Sequence, residues 1–314
     1  MAARAAAGRT GRPGELEKGD LEEYRVRIAN VGGRATIVPA AVASIVDGGV
    51  VVGVDVEAAS AGRFGPDPQA VFARWGEFEP WARSIDVAEA DVTLTAADLG
   101  PVSPRPVQVF AIGLNYAAHA AETNRAAPTS PPTFTKFPSC LTGPATAVPL
   151  PPGSVDWEVE LVAVIGRRAR NVSRHDAWAH VAGVAVGQDF SERELQMVGP
   201  APQFSLAKSF PCFGPIGPAL VTPDELPDRD DLAIGCLVDG EPMQSARTSM
   251  MLFDLPTLVV HLSSVLTLLP GDVIFTGTPS GVGMGRDPKR FLRPGQVVES
   301  EIEGIGKLRN LTTA

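Results

Sequence analysis

Between residues 107 and 312 the chain strings together short runs rich in β-branched residues: VQVFAIGL, VELVAVIG, VAGVAVGQDF, AIGCLVDGEPMQ, GDVIFTGTP and VVESEIEGIGKL. Gly, Pro and Asp punctuate them. Strands this short, without a helix between each pair, exclude a doubly wound parallel sheet and predict a β-rich α+β fold of the roll or barrel-like kind. The Asp239-Gly240 dipeptide signals a tight hairpin. One segment has helical periodicity, DLPTLVVHLSSVLTLL, with Asp254 as expected N-cap and Leu255, Leu258, Val259, Leu262, Val265 and Leu266 on one face.

Ahead of this region, GPVSPRP (residues 100–106) carries three prolines in seven residues and reads as a linker. Residues 21–103 are therefore expected to form a smaller N-terminal α+β domain, and residues 104–314 the larger one. The N-terminal part mixes strand patterns with an aromatic helical stretch, AVFARWGEFEPWARSI, whose Trp75 and Trp81 read as core. Residues 1–20 hold three arginines but no apolar run of signal-peptide length and are expected to be a flexible tail; a transit peptide is the alternative.

Charge narrows the function classes. With 27 basic against 36 acidic residues, a net charge of −9 and no Lys/Arg-rich run, neither nucleic acid nor an anionic membrane is the expected partner. Cys140, Cys212 and Cys236 are odd in number and lack CxxC spacing, so they read as buried thiols in a reducing compartment rather than as a disulfide framework or a zinc site. A cytoplasmic enzyme of small molecules is the expectation.

The stretch DWEVELVAVIG (156–166) places Asp156, Glu158 and Glu160 at alternate positions. On a strand these share one face about 6.6 Å apart, where two charges repel by roughly 2.5 kcal/mol at an effective dielectric near 20. A wet face tolerates that, and so does a site occupied by a cation. Asp189, ending the apolar run VAGVAVGQDF, would join Glu158 and Glu160 in an all-oxygen site suited to Mg²⁺. In DFSERELQ, helical spacing would set Asp189, Arg193 and Gln196 along one face, either as a surface ion pair or reaching toward the bound ligand. In GLNYAAHAAET, Asn115 is a candidate N-cap, and His119 and Glu122 stand three apart, the spacing of a carboxylate-oriented general base and equally of a surface contact. The polar, Pro-rich TNRAAPTSPPT that follows reads as a lid. Lys136 and Lys208 both neighbour aromatics. The glycine run GTPSGVGMG lacks GK[ST], so it is no P-loop; as a loop after a strand it offers Thr276, Thr278 and backbone N–H groups to a carboxylate. His175, His180 and His261 show no ligand spacing.

Taken in order, NYxxHxxE, KFPS, DxExE, QDxxxRxxQ, AKSF and GDVIFTGTPSGVG resemble the fumarylacetoacetate hydrolase superfamily over about residues 105–312. The resemblance implies a β-roll catalytic domain, a homodimer, and Mg²⁺ or Mn²⁺ held by Glu158, Glu160 and Asp189. It implies a 2-oxo acid substrate, with hydrolysis of an acylpyruvate C–C bond as the leading reaction and decarboxylation or dienoic-acid isomerisation as alternatives. Asn115 stands where the name-giving enzyme has a fourth acidic ligand, which points to the acylpyruvase-like branch. His119 with Glu122 would activate water, and Lys208 and Gln196 would stabilise oxyanions. Arg193 and Thr278 would bind the substrate carboxylate, with Lys136, Tyr116 and Gly277 as further contacts. Asp156 inherits no role and is expected at the rim, either supporting the site from behind its ligands or purely solvated. A non-catalytic metal or metabolite binder is the reading from another class.

Overall fold

The computed structural model describes residues 26–314; the expected tail lies outside the described residues. The main strands are β1 (Arg27–Val31), β2 (Arg34–Ile37), β3 (Val51–Asp55), β4 (Val92–Leu94), β5 (Val109–Ile112), β6 (Thr133–Thr135), β7 (Val159–Ile165), β8 (Val181–Gln188), β9 (Gly214–Val221), β10 (Ala233–Val238), β11 (Glu241–Arg247), β12 (Val273–Phe275), β13 (Val297–Ile302) and β14 (Gly306–Thr313). The larger sheet follows the order β4-β3-β2-β1-β9-β8-β7-β12-β5-β6, open at both ends, and a second runs β11-β10-β13-β14 with Val148–Pro149 at its edge. The pairing of β12 with β5 is parallel, while β7 is antiparallel to both β8 and β12. This is the mixed, β-rich α+β architecture expected, without a closed barrel.

Local chemistry sets the turns. Asp239 and Gly240 both take positive φ between β10 and β11, as do Gly32 and Gly33 between β1 and β2, which matches the right-handed twist of the strands they join.

Alternation along β7 divides two cores. Val159, Leu161, Ala163 and Ile165 face the second sheet and helix α3 (Leu255–Val265), whereas Val162 and Val164 face the N-terminal aromatics Phe72, Trp75 and Phe78. Those aromatics belong to the predicted amphipathic stretch, whose main helix is α1 (Trp75–Ala82); Trp75 is buried as expected, whereas Trp81 is only partly buried against the same cluster. In α3 the Asp254 side chain accepts from Thr257 N at 3.0 Å, the expected cap. The apolar stripe ends earlier than expected: Val265 is 72% exposed, and Leu266 is the extended residue after the helix.

The sheet crosses the Pro-rich segment without interruption. β1 pairs antiparallel with β9, Arg27 opposite Val221 and Ile28 opposite Leu220, so residues 26–100 extend the same sheet that carries β7 and β8. Among the described residues no helix is long and apolar enough to cross a membrane.

Candidate active site

The acidic cluster is built by register. Glu158 immediately precedes β7 and Glu160 lies within it, both opposite in direction to Trp157, Val159 and Leu161, which sink into the core. Val159 pairs with Gln188 and Asp189 N donates to Glu158 O at 2.9 Å, which brings Asp189 from the end of β8 beside the two glutamates. One oxygen from each of Glu158, Glu160 and Asp189 lies within 4.8 Å of the others, and all three residues are buried.

Three buried cations answer this charge. Lys208 Nζ donates to Glu158 Oε2 (2.7 Å), Asp189 Oδ2 (2.6 Å) and Ser191 Oγ (2.8 Å). Lys136 Nζ donates to Asp189 Oδ1 (2.6 Å) and to the carbonyls of Phe213 and Lys208. Arg193 Nη2 lies 2.7 Å from Glu158 Oε1 and 2.8 Å from Asp156 Oδ2. Burial opposes ionisation of Glu158, but Lys208 and then Arg193 overcome it and draw the carboxyl down to about 2.

Glu160 is the exception. It accepts from Gly277 N at 2.7 Å but has no cationic partner within ion-pair distance among the described residues, and burial, then Asp189 and Glu158, push its carboxyl well above the usual range. A buried carboxyl in that setting either keeps its proton or is matched by a cation. Hard carboxylate oxygens of this number and spacing fit a divalent ion that completes its shell with water or substrate oxygens.

Helix α2 (Ala117–Glu122) supplies the dyad. His119 Nδ1 and Glu122 Oε1 are 2.7 Å apart, and Glu122 Oε2 accepts from Gly281 N at 2.8 Å, tying the pair to the glycine loop. His119 Nε2 has no protein partner among the described residues, and the ring lines one cavity with Glu158, Glu160, Arg193, Gln196 and Lys208. Gln196 Oε1 accepts from Arg193 Nη1 at 3.0 Å.

Other expected contacts sit differently. Thr278 borders the cavity, but its hydroxyl donates to Val159 O (2.9 Å) and accepts from Gln244 Nε2 (2.7 Å). Lys136, Tyr116 and Gly277 lie outside the lining: Lys136 is fully buried behind Asp189, Gly277 spends its N–H on Glu160, and the buried Tyr116 hydroxyl has no hydrogen-bond partner among the described residues.

Three local expectations are corrected. Asp156 is fully buried rather than at the rim; Oδ1 accepts from Trp157 N (2.8 Å) and Gly283 N (2.7 Å), and Oδ2 from Met284 N (2.9 Å) and Arg193 Nε (2.9 Å). Asp189 shares no helix with Arg193, because Ser191–Glu192 pairs as a strand with Val155–Asp156 and the helix begins only at Arg193; Arg193 therefore pairs with Asp156 and Glu158. Asn115 does not cap α2, whose N-cap is Tyr116; its amide donates to Phe253 O and Thr276 O and accepts from Phe253 N, joining three chain segments. The sequence reading also passed over Arg125, Phe134, Met197 and Phe204, which line the cavity wall. Their one available signal was the lid-like, Pro-rich composition around Arg125.

The fumarylacetoacetate (FAA) hydrolase C-terminal family matches residues 108–312. Oxaloacetate tautomerase FAHD2A, mitochondrial, of Bos taurus is 47% identical over 214 residues, 68% of this chain and 68% of that protein. A solved structure from Mycobacterium smegmatis with a provisional HpcE name shares 50% identity at a TM-score of 0.84, covering 91% of this chain and 99% of the other. Fumarylacetoacetate hydrolase from the psychrophile Exiguobacterium antarcticum shares 32% identity at a TM-score of 0.75, covering 92% and 99%.

Proposed function

The chain belongs to the fumarylacetoacetate hydrolase family, and from that premise we propose that it enolises a small 2-oxo acid, with His119 as the proton shuttle. One observation carries this reading: a carboxylate-held histidine with an unpartnered Nε2 faces the same cavity as a buried cluster of carboxylates and cations. The naming of the bovine relative as an oxaloacetate tautomerase supports it.

Glu158, Glu160 and Asp189 would hold Mg²⁺ or Mn²⁺, which when bound supplies positive charge against a developing oxyanion. His119 Nε2 removes a proton from C3 of the 2-oxo acid as the C–H electron pair moves toward the 2-oxo oxygen. Glu122, fixed by Gly281 N–H, accepts from Nδ1–H and stabilises the imidazolium that results. Lys208 and Arg193 set positive charge beside the growing negative charge, and Gln196 braces Arg193. Return of the proton to oxygen gives the enol, and return to carbon gives the ketone. Phe134 and Phe204 exclude water from the apolar wall.

A second reading is hydrolysis of an acylpyruvate, the reaction first expected, in which the same imidazole takes its proton from an attacking water. The likeness to the Exiguobacterium fumarylacetoacetate hydrolase favours it. The two readings separate in deuterated buffer with Mg²⁺: enolisation exchanges the C3 protons of simple 2-oxo acids, while hydrolysis cleaves acylpyruvates. His119→Ala should lower exchange about 10²- to 10⁴-fold while calorimetric Mg²⁺ affinity holds. Unchanged exchange in that variant would refute the shuttle, and no exchange above the Mg²⁺ background in the unaltered protein would leave the non-catalytic binder. The homodimer and the cytoplasmic location belong to this proposal, the bovine relative being named mitochondrial; light scattering tests the former.

A further inference from the structure

Two short segments behind the acidic cluster share a pattern. In KFPSC and KSFPC, Lys136 and Lys208 each stand four residues before a cysteine, Cys140 and Cys212, with a proline in between. Both lysines end on one carboxylate: Lys136 Nζ donates to Asp189 Oδ1 and Lys208 Nζ to Asp189 Oδ2, each at 2.6 Å. The segments are also tied to each other, since Lys136 Nζ donates to the Lys208 carbonyl and Phe137 N to Ser209 Oγ at 2.9 Å.

The cysteines sit where these segments converge. Leu141 and Thr142 pair in parallel with Gly214 and Pro215, so Cys140 enters that pair one residue ahead of it and Cys212 two residues ahead. Neighbouring strands stand about 4.8 Å apart and rise about 3.3 Å per residue, so an offset of one residue falls within the Cα separation of about 4.4–6.8 Å that a disulfide spans. A Cβ on Gly214 would meet Cys140 Sγ at 3.1 Å, which puts that thiol over the strand that Cys212 leads into. Cys140 is fully buried, whereas Cys212 is half-buried and packs against the same core cluster. Cys212 also holds φ +65°, a left-handed backbone that few L residues adopt, so its turn loses little by moving. The third cysteine, Cys236, is buried in β10 of the second sheet, where its Sγ accepts from Gln188 Nε2 at 3.3 Å.

We propose that a hydroperoxide oxidises Cys212 and Cys140 to a disulfide, a reversible modification that draws the two lysine segments together and weakens divalent-cation binding at Glu158, Glu160 and Asp189. Cys212, the thiol within reach of solvent, attacks the peroxide as its thiolate; the O–O bond breaks, leaving a sulfenic acid and a hydroxide that takes up the thiol's proton as water. Cys140 then attacks the sulfenic sulfur, the S–O bond breaks, and a second water leaves with the Cys140 proton. Two thiols are oxidised and one peroxide is reduced to two waters. Because the bridged segments carry both cations of Asp189, the bridge reaches the cluster through that carboxylate. Its effect on the cluster rests on the reading of those three acids as a cation site; the bridge itself does not.

The full chain is treated with hydrogen peroxide, alkylated, digested and mapped by mass spectrometry. One peptide pair should appear, joined through Cys140 and Cys212 and lighter by two hydrogens, with Cys236 still a free thiol. Calorimetry should then give a Mg²⁺ Kd about tenfold weaker than that of the reduced chain, the lower end of the cost of disturbing groups that hydrogen-bond a metal ligand, and dithiothreitol should restore it. Cys212→Ser should bind Mg²⁺ like the reduced chain and keep that affinity in peroxide. Cys140→Ser should stop at the sulfenic acid on Cys212, trapped with dimedone; where that buried change prevents folding, Cys212→Ser decides alone. Over-oxidation of Cys212 with Cys140 still free, or a mapped bridge that leaves the Mg²⁺ Kd unchanged, overturns the proposal. If the bridge forms but the reduced chain binds no Mg²⁺, the modification stands and the cation reading falls.

Discussion

Asp156 offers the sharpest test of the site's construction, because the structure makes it a buried anchor where the sequence suggested a bystander at the rim. The perturbation is Asp156→Asn. Both carboxylate oxygens are occupied: Oδ1 takes two backbone N–H groups, and Oδ2 takes Met284 N–H together with Arg193. An amide replaces one oxygen with a donor, so one pair of incoming donors faces an N–H group whichever way it turns, and Arg193 keeps only Glu158 as a charged partner. Unpairing a buried ion pair costs about 3–5 kcal/mol. At about 2 °C per kcal/mol for a chain of this size, thermal unfolding should fall by roughly 6–10 °C. Calorimetry or circular dichroism with EDTA present measures it without a contribution from bound cation. The double variant Asp156→Asn/Arg193→Met should lose less than the sum of the single losses, by about 1–3 kcal/mol. A loss below about 0.5 kcal/mol, the range of an ordinary surface substitution, would refute the anchor.

The two glutamates should respond with opposite signs. Without metal, Glu160→Gln removes a buried carboxyl that ionises only at a cost and should stabilise the fold by about 1–2 kcal/mol while weakening Mg²⁺ about tenfold or more; Glu158→Gln takes from Arg193 and from Lys208 one of two carboxylate partners each and should destabilise it by about 3 kcal/mol. Thermal scans in EDTA followed by Mg²⁺ titration check both, and destabilisation by Glu160→Gln would remove the argument for a cation. Gly281 has φ +110°, and a Cβ there would stand 2.0 Å from Met243 O. Gly281→Ala should therefore cost about 2–4 kcal/mol and slow C3 exchange by freeing Glu122; an unchanged rate would separate the loop from the dyad. Paired with Arg174 and with Thr257, Asp254 is held at about 2, below its usual 3.8. Because the folded value is the lower, its contribution is present above 3.8 and is lost as pH falls from 3.8 through 2. Its side chain is 40% exposed, so Asp254→Ala should cost only about 1 kcal/mol at pH 7, with the gap from the unaltered chain closing near pH 2 in urea titrations; a pH-independent gap would remove the ion pair from the account.

Legibility in the sequence followed the range of the physics. Period-two alternation placed Glu158 and Glu160 on one face, a two-residue Asp-Gly turn marked the β10–β11 hairpin, and Asp254 announced its helix, all signals carried within a few residues. Asp189 was identifiable because it ends an apolar run, where a carboxylate needs a partner. What failed was long-range. Arg193 sits 37 positions from Asp156, and nothing local says that Ser191–Glu192 pairs with Val155–Asp156 instead of starting a helix. Asn115 looked like a cap because caps are local, yet its bonds reach Phe253 and Thr276. Arg125 went unread because an arginine in a polar loop is ordinary until the fold sets it on a cavity wall.

The pairing of β1 with β9 also bears on how the chain is made. The strand at Arg27–Val31 leaves the ribosome roughly 190 residues before its partner at Gly214–Val221. At ordinary elongation speeds that interval is about 10–40 s. For that time β1 can pair only with its neighbours upstream of β9, in the partial sheet β4-β3-β2-β1 whose β1 edge still lacks β9, the state in which nascent strands pair with the wrong neighbour. The β1 edge is thus open to wrong pairing until the far half of the sheet has been synthesised.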